Sequence, residues 1–331
     1  MKNILLIATG GTIASRTTEQ GLAPSITSED LLGYVPEIAS LCRVDTVQLF
    51  NLDSTNICKK HWTRMAECVR SHYEEYDGFV ITHGTDTMAY TSAALSYLIR
   101  DNRKPVVITG SQKSIYLQDS DARRNLTDAF TFACDDRASG VHIVFNGQAI
   151  IGTRAKKTRT KSYNAFSCMD YPETALIREK NVLFYIRDSI EAETPSFDSK
   201  MSDRVFLLKL IPGIRADIFA YLKPRYDALV IESFGVGGIP FYETEEFSEA
   251  IADWVSSGKF IVITTQVPHE GSDMEVYRVG CVVKEKYELM EAYNMTAEAV
   301  VTKLMWILAK TKDDSEVRRL FYTPIAKDIL L

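Results

Sequence analysis

Apolar residues in this chain come in short, nearly unbroken blocks, each released into a turn of glycine and hydroxyl side chains. The first is Ile4 to Ala14 (ILLIATGGTIA), five apolar residues followed by Thr9, Gly10, Gly11 and Thr12. A strand buried on both faces of a parallel sheet reads this way when it ends at an exposed turn. The pattern recurs at 79–87 (FVITHGTDT) and at 106–112 (VVITGSQ). Further strands are predicted at Val44 to Leu49, Val141 to Phe145, Val205 to Leu210, Ala228 to Ile231 and Phe260 to Thr264. Between them the period changes to that of a helix. From His61 to Tyr73, residues Trp62, Met65, Ala66, Val69 and Tyr73 share one face, which makes Trp62 a core residue and leaves His61 and His72 on or near the solvated side. Helices are also expected at Ala89 to Ile99, Arg123 to Cys134, Ala216 to Leu222 and Glu245 to Ser256, with a closing helix at Thr296 to Ala309. Thr27 and Asp30 have the spacing of a capping box that opens one more. Strand and helix alternate throughout, which predicts an α/β fold with a mostly parallel sheet and flanking helices.

Two stretches carry no period. Residues 15–26 (SRTTEQGLAPSI) read as a mobile loop or lid beside the first turn, and 188–204 (DSIEAETPSFDSKMSDR) reads as an acidic interdomain linker. At 331 residues the chain exceeds the usual size of one core. The expected division is a larger domain over 1–187, the linker over 188–204, and a smaller α/β domain over 205–331.

Composition narrows the class. Charged residues are 25%, hydrophobic ones 46%, and the net charge of −6 argues against a nucleic-acid partner. The six cysteines, Cys42, Cys58, Cys68, Cys134, Cys168 and Cys281, show no C-x-x-C and no histidine at zinc-ligand spacing, so reduced thiols and no metal are expected. The N-terminal apolar run is too short for a signal-peptide core, and no stretch nears the length of a membrane span. A soluble cytoplasmic protein is expected, and the sequons at Asn125 and Asn294 are then chance matches.

In an open parallel sheet, ligands bind at the carboxyl ends of the strands. The turns at Gly10–Thr12, Thr82–Thr87 and Thr109–Gln112 should therefore share one mouth, joined by the polar cluster Asn51–Asn56 after the strand at 44–49. Glycines before Thr12 let a substrate approach backbone N–H groups that could stabilise an oxyanion. The basic run at 154–161 (Arg154, Lys156, Lys157, Arg159, Lys161) is either a solvated face or the source of one inward-turned lysine, and spacing leaves the choice open. No phosphate-loop, dinucleotide, serine-elbow or zincin signature is present. What remains is hydroxyl, carboxylate and lysine chemistry: a threonine nucleophile with a lysine as base and an aspartate to orient it.

The motifs A-T-G-G-T-I-A (8–14) and I-T-H-G-T-D-T-M (81–88), with V-I-T-G-S-Q (107–112), R-A-K-K (154–157), S-F-G-V-G-G (233–238) and N-M-T-x-E-A (294–299), closely resemble the bacterial-type L-asparaginases, most of all their cytoplasmic type I branch. The resemblance covers the chain end to end. It implies hydrolysis of L-asparagine to L-aspartate and ammonia with no metal or cofactor, Thr12 as the nucleophile, and Thr85, Asp86 and Lys157 as a triad. It further implies that Asp53, Ser54 and Thr55 hold the substrate α-carboxylate, although a simple helix cap is the alternative for them, that Gly84 lines the site, and that Asp86 reaches the α-amino group. A homodimer or homotetramer is implied as well. Three positions depart from the family pattern: Gln20-Gly21-Leu22 lacks the loop tyrosine, Gly238-Ile239 lacks an asparagine, and Glu232 stands where relatives carry an arginine that grips an effector carboxylate. His83 is weighed as an acid or base against a packing role. The rival readings are an asparaginase-like subunit of a tRNA-dependent amidotransferase, whose chains carry an extra N-terminal domain, and a non-catalytic amino-acid sensor.

Overall fold

A computed structural model describes the chain except residues 19–20, 25, 188–189, 191, 241–245, 277 and 331, and describes backbone alone at 16–18, 21–24, 278–279 and 281–283. The chain forms two compact units, Met1–Ser199 and Lys200–Leu331.

The first unit is built on an eight-stranded sheet of β1 (Asn3–Gly10), β2 (Arg43–Leu52), β3 (Gly78–Thr82), β4 (Val106–Thr109), β5 (Val141–Phe145), β6 (Gln148–Ile151), β7 (Ala175–Arg178) and β8 (Asn181–Phe184), in the spatial order β8-β7-β6-β5-β4-β3-β1-β2. Strands β2, β1, β3, β4 and β5 run parallel. Those in the middle are covered on both faces, so their side chains are apolar at nearly every position: Ile4, Leu6, Val80 and Val107 all belong to one core cluster. Helix α1 (Ser28–Gly33) opens with the capping box expected of Thr27 and Asp30. Helices α2 (Lys59–Ser71), α3 (Met88–Leu98) and α4 (Ala122–Ala133) lie within three residues of their expected bounds.

The sequence pattern departs from the structure in three places here. Strand and helix do not alternate throughout: after β5 the chain turns back, and β6, β7 and β8 join antiparallel with no intervening helix. Their short runs carry too few residues to show a period of two. Residues 15–26 hold a two-stranded antiparallel hairpin, Ser15–Thr18 with Gly21–Pro24, whose tip lies outside the described residues. Inside the stretch expected to be an unstructured linker, Ser196–Phe197 pairs with Ile99–Arg100.

The second unit is a four-stranded, all-parallel sheet in the order β9 (Val205–Lys209), β10 (Ala228–Ser233), β11 (Phe260–Thr265), β12 (Met290–Glu291). Helices α5 (Asp217–Leu222) and α6 (Glu246–Ser256) pack on it through Phe219, Phe247, Ile251 and Trp254. Two helices escaped the sequence reading, α7 (Arg278–Tyr287) and α9 (Asp314–Tyr322), and α8 (Ala297–Ile307) is therefore not the closing one. The carboxy-terminal tail is held by a fully buried ion pair, Lys303 Nζ to Asp328 Oδ2 at 2.7 Å. Among the described residues no helix is long and apolar enough to cross a membrane, and no group of three metal-ligating side chains occurs.

Candidate active site

Parallel register sets the site. Ala8 pairs with Thr82, Thr82 with Thr109, and Gly10 with Leu52, so the turns after β2, β1, β3 and β4 leave the sheet in one row at its carboxyl edge. The four expected turns thus converge.

Glycine makes the row tight. A Cβ on Gly11 would stand 2.3 Å from Gly84 N, and one on Gly10 2.4 Å from Leu52 N. Gly10 and Gly11 also hold positive φ, 102° and 82° respectively. Thr12 and Thr85 consequently follow two glycines whose backbones touch. A Cβ on Gly84 would meet Ser54 Oγ at 2.6 Å, and one on Gly110 would meet His83 O at 2.2 Å. Crossed hydrogen bonds tie the turns together: Thr9 Oγ1 donates to Thr82 O (2.7 Å), His83 N to Thr109 O (2.8 Å), and Thr87 Oγ1 to Ser54 O (2.8 Å).

Within this floor, Thr85 is buried and Thr12 half-buried, at the start of a short 3-10 turn, Thr12–Ala14. Lys157 Nζ lies 2.8 Å from Thr85 Oγ1 and 2.6 Å from Asp86 Oδ1. Of the five cations in the basic run, Lys157 is therefore the one that turns to the site. It does so from a short hairpin, Ala155–Lys157 against Phe166–Cys168, in which Lys157 pairs with Phe166. Its neighbours differ: Arg154 is fully buried with its guanidinium 5.8 Å from the Tyr171 ring centre, and Arg159 and Lys161 are exposed.

Asp53 is the N-cap of a 3-10 turn, Ser54–Asn56, and its Oδ1 accepts from Thr55 N (2.9 Å) and Thr55 Oγ1 (2.8 Å). The cap foreseen as an alternative for this turn is present, with buried Ser54 facing Gly84.

Three residues outside the expected set also belong to the neighbourhood. Gln112 Oε1 accepts from Thr85 Oγ1 at 3.3 Å, while its Nε2 donates to Thr160 O (3.0 Å) and Ser162 O (3.2 Å), linking the lysine-bearing loop to the β4 turn. Its place in the Thr-Gly-Ser-Gln turn was the signal for it. Asp121 accepts from Gln112 N at 3.1 and 3.0 Å, and Asn125 Nδ2 donates to Gly110 O at 3.0 Å. Burial pushes the Asp121 carboxyl up. No local pattern marks these last two as supports of the turn.

His61 differs from expectation. His61 is buried, packs edge-on against Phe50 and accepts from Cys58 N through Nδ1 (3.0 Å), and burial with Lys60 and Arg64 nearby lowers its pKa. His83 is fully buried, and burial pushes it down to about 4. In the second unit, Glu232 Oε2 lies 3.6 Å from Lys209 Nζ. The segment of the missing loop tyrosine lies outside the described side chains. Cys42, Cys58, Cys68, Cys134 and Cys168 are free thiols.

Residues 3–190 match the family model described as Asparaginase, N-terminal, and residues 204–321 match that of the Glutaminase/Asparaginase C-terminal domain. The chain belongs to the asparaginase family. It is 37% identical to an L-asparaginase of Thermococcus kodakarensis over 98% of both chains, and the solved structure of the thermostable L-asparaginase from that organism superposes with a TM-score of 0.92 at 36% identity, covering 99% of each chain. L-asparaginase I of Vibrio cholerae matches with a TM-score of 0.87 at 25% identity over 100% of this chain and 99% of that one. A Glutamyl-tRNA(Gln) amidotransferase polypeptide of Pyrococcus horikoshii is 32% identical over 99% of this chain and 77% of its own length.

Proposed function

We propose that this chain hydrolyses the side-chain amide of L-asparagine to L-aspartate and ammonia. Thr12 Oγ1 attacks the amide carbon and its proton passes to the leaving nitrogen, which departs as ammonia. Water then cleaves the aspartyl ester: its proton passes through Thr85 Oγ1 to a neutral Lys157 steadied by Asp86, and the lysine returns a proton to Thr12 Oγ1 as the ester bond breaks. Backbone N–H groups of the glycine turns face the developing oxyanion. The turn at Asp53–Thr55 receives the α-carboxylate, with Asp53 shaping it as cap, Gly84 leaves room, and Asp86 takes the α-amino group. The observation that carries this reading is the contact of one lysine with both Thr85 and Asp86, beside the Gly11–Gly84 approach that sets Thr12 next to them. Full-length likeness to a protein named L-asparaginase supports the substrate. Free thiols fit a reducing cytoplasm, and a dimer-based oligomer completes the proposal.

The test is ammonia release from purified protein offered asparagine and glutamine side by side. Asparagine is expected to dominate, because a pocket that pins both α-groups fixes the distance to the amide carbon and one added methylene misplaces it. Thr12→Ala and Thr85→Ala should each remove most turnover with the fold intact. Equal use of both amides, or near-normal turnover in either variant, refutes the corresponding part. The likeness to the tRNA-dependent amidotransferase keeps one alternative in view: ammonia released only when a partner protein and charged tRNA are present would favour it.

A further inference from the structure

Beneath the turn that carries Thr85, a line of hydrogen bonds runs from the core to the backbone of the site. Trp62 Nε1 donates to Thr91 Oγ1 at 2.9 Å, Thr91 Oγ1 lies 3.0 Å from His83 Nε2, and His83 Nδ1 lies 2.7 Å from Gly84 O. Each direction is forced. A carbonyl oxygen only accepts, so Nδ1 carries the ring proton. An indole N–H only donates, so the Thr91 oxygen accepts it; with the fully buried ring neutral and its proton on Nδ1, Nε2 is bare and Thr91 turns its own hydrogen to it. The ring is thereby fixed in one neutral tautomer, in keeping with its full burial.

What the line ends on matters. Gly84 C=O and Thr85 N–H share a single planar peptide unit, so fixing the oxygen fixes the N–H and the direction in which the chain enters Thr85. Gly84 itself lacks the side chain that would restrict this peptide, because a Cβ there would overlap Ser54 Oγ. The glycine that opens the site thus removes the usual local restraint, and the histidine beside it supplies another from below.

We propose that His83 is a positioning residue, which through the Gly84 carbonyl holds the Gly84–Thr85 peptide in the orientation that aims Thr85 at Lys157 and at the substrate, with Trp62 and Thr91 setting its tautomer. The proposal rests on the hydrolase reading above. It gives His83 no proton transfer, since both ring nitrogens face inward to Thr91 and Gly84.

The experiment compares His83→Asn, whose amide N–H can take the place of Nδ1–H, with His83→Leu, which fills the volume and donates nothing. In His83→Leu kcat should fall about 30-fold, with KM shifted less than about threefold, as expected for a misaimed group in an otherwise formed pocket. His83→Asn should recover kcat to within about threefold of wild type, the conservative donor rescuing the geometry. A merely structural histidine predicts that both variants lose activity in step with their melting temperatures, and that pattern overturns the proposal. A readout free of turnover guards against a wrong substrate: in the nitrogen-15 spectrum of labelled histidine, wild type should show an Nδ1-protonated, Nε2-bare ring at neutral pH, assigned by its loss in His83→Asn. The Thr85 amide resonance should keep its position in His83→Asn and move in His83→Leu. An Nε2-protonated or doubly protonated ring, or a Thr85 amide indifferent to both variants, overturns the proposal. Absence of asparagine turnover in wild type would sink the hydrolase reading instead.

Discussion

Replacing Lys157 by Met separates the chemistry of the site from its stability. The lysine side chain is 16% exposed and the Asp86 side chain 60% exposed, so an Asp86 that loses its partner is solvated by water without further rearrangement. A partly exposed pair of this kind is worth roughly 0–1 kcal/mol. Methionine has nearly the same length and keeps the apolar stem covered, so the melting temperature should move by no more than about 3 °C. The reaction is affected far more. Nζ donates to Thr85 Oγ1 at 2.8 Å; once it has lost a proton it stands at the distance from which it can take that of Thr85, and loss of a positioned base costs about 10²–10⁴ in rate, or roughly 3–5 kcal/mol of barrier. Steady-state ammonia release is the assay, with thermal unfolding followed in parallel. Lys157→Arg sharpens the test, because a guanidinium can still pair with Asp86 but does not give up its proton, and it should be as inactive as the methionine variant. Turnover in Lys157→Met within tenfold of wild type, or restoration by arginine, would refute the assignment of Lys157 as base.

Gly11→Ala should abolish turnover and lower the melting temperature, since the backbone of Gly11 (φ 82°, ψ 177°) lies in a region essentially reserved for glycine, at a cost of about 1–3 kcal/mol to other residues, and the new Cβ stands 2.3 Å from Gly84 N; a fully active alanine variant would contradict the close approach. Burial pushes Asp128 up from its ordinary value of 3.8 to about 6, against Arg124 Nε at 3.5 Å. The folded state then holds a proton that the unfolded chain has lost, so stability from this group is present below about pH 4 and falls as pH rises towards 6. Asp128→Asn should therefore raise stability at pH 7, by at most about 3 kcal/mol, and flatten that decline; an unchanged slope of melting temperature against pH would show the reasoning wrong. Glu232 stands where the family resemblance implies a carboxylate-gripping arginine, so asparagine should not act as an effector there, and velocity should follow a hyperbola over a wide substrate range. A sigmoidal curve that persists in Glu232→Ala would overturn this.

Much of this architecture is written locally. The runs ILLIA, FVIT, VVIT and VHIVF are apolar at almost every position because a parallel strand in the middle of a sheet meets protein on both faces, and burial on both faces is legible one residue at a time. The capping box of α1 and the glycine pairs before Thr12 are equally local, since they answer to φ and to a backbone donor a few residues away. By itself, then, the sequence determined the parallel half of the first sheet, most of the helices, and the row of turns at its carboxyl edge. It did not determine the antiparallel strands β6 to β8 or helices α7 and α9, where runs are short and the partner supplies the ordering. Nor could spacing choose among five cations at 154–161. Lys157 meets Thr85 because strand pairing of Ala155–Lys157 with Phe166–Cys168 presents it to a turn 72 residues earlier in the chain. His61 and His83 are buried for the same kind of reason: Phe50 covers the one, and Thr91 and Gly84 enclose the other. A local pattern records how deeply a residue is buried and what conformation it favours, whereas the identity of its neighbour is fixed by sheet order and register, which exist only once the chain has closed on itself.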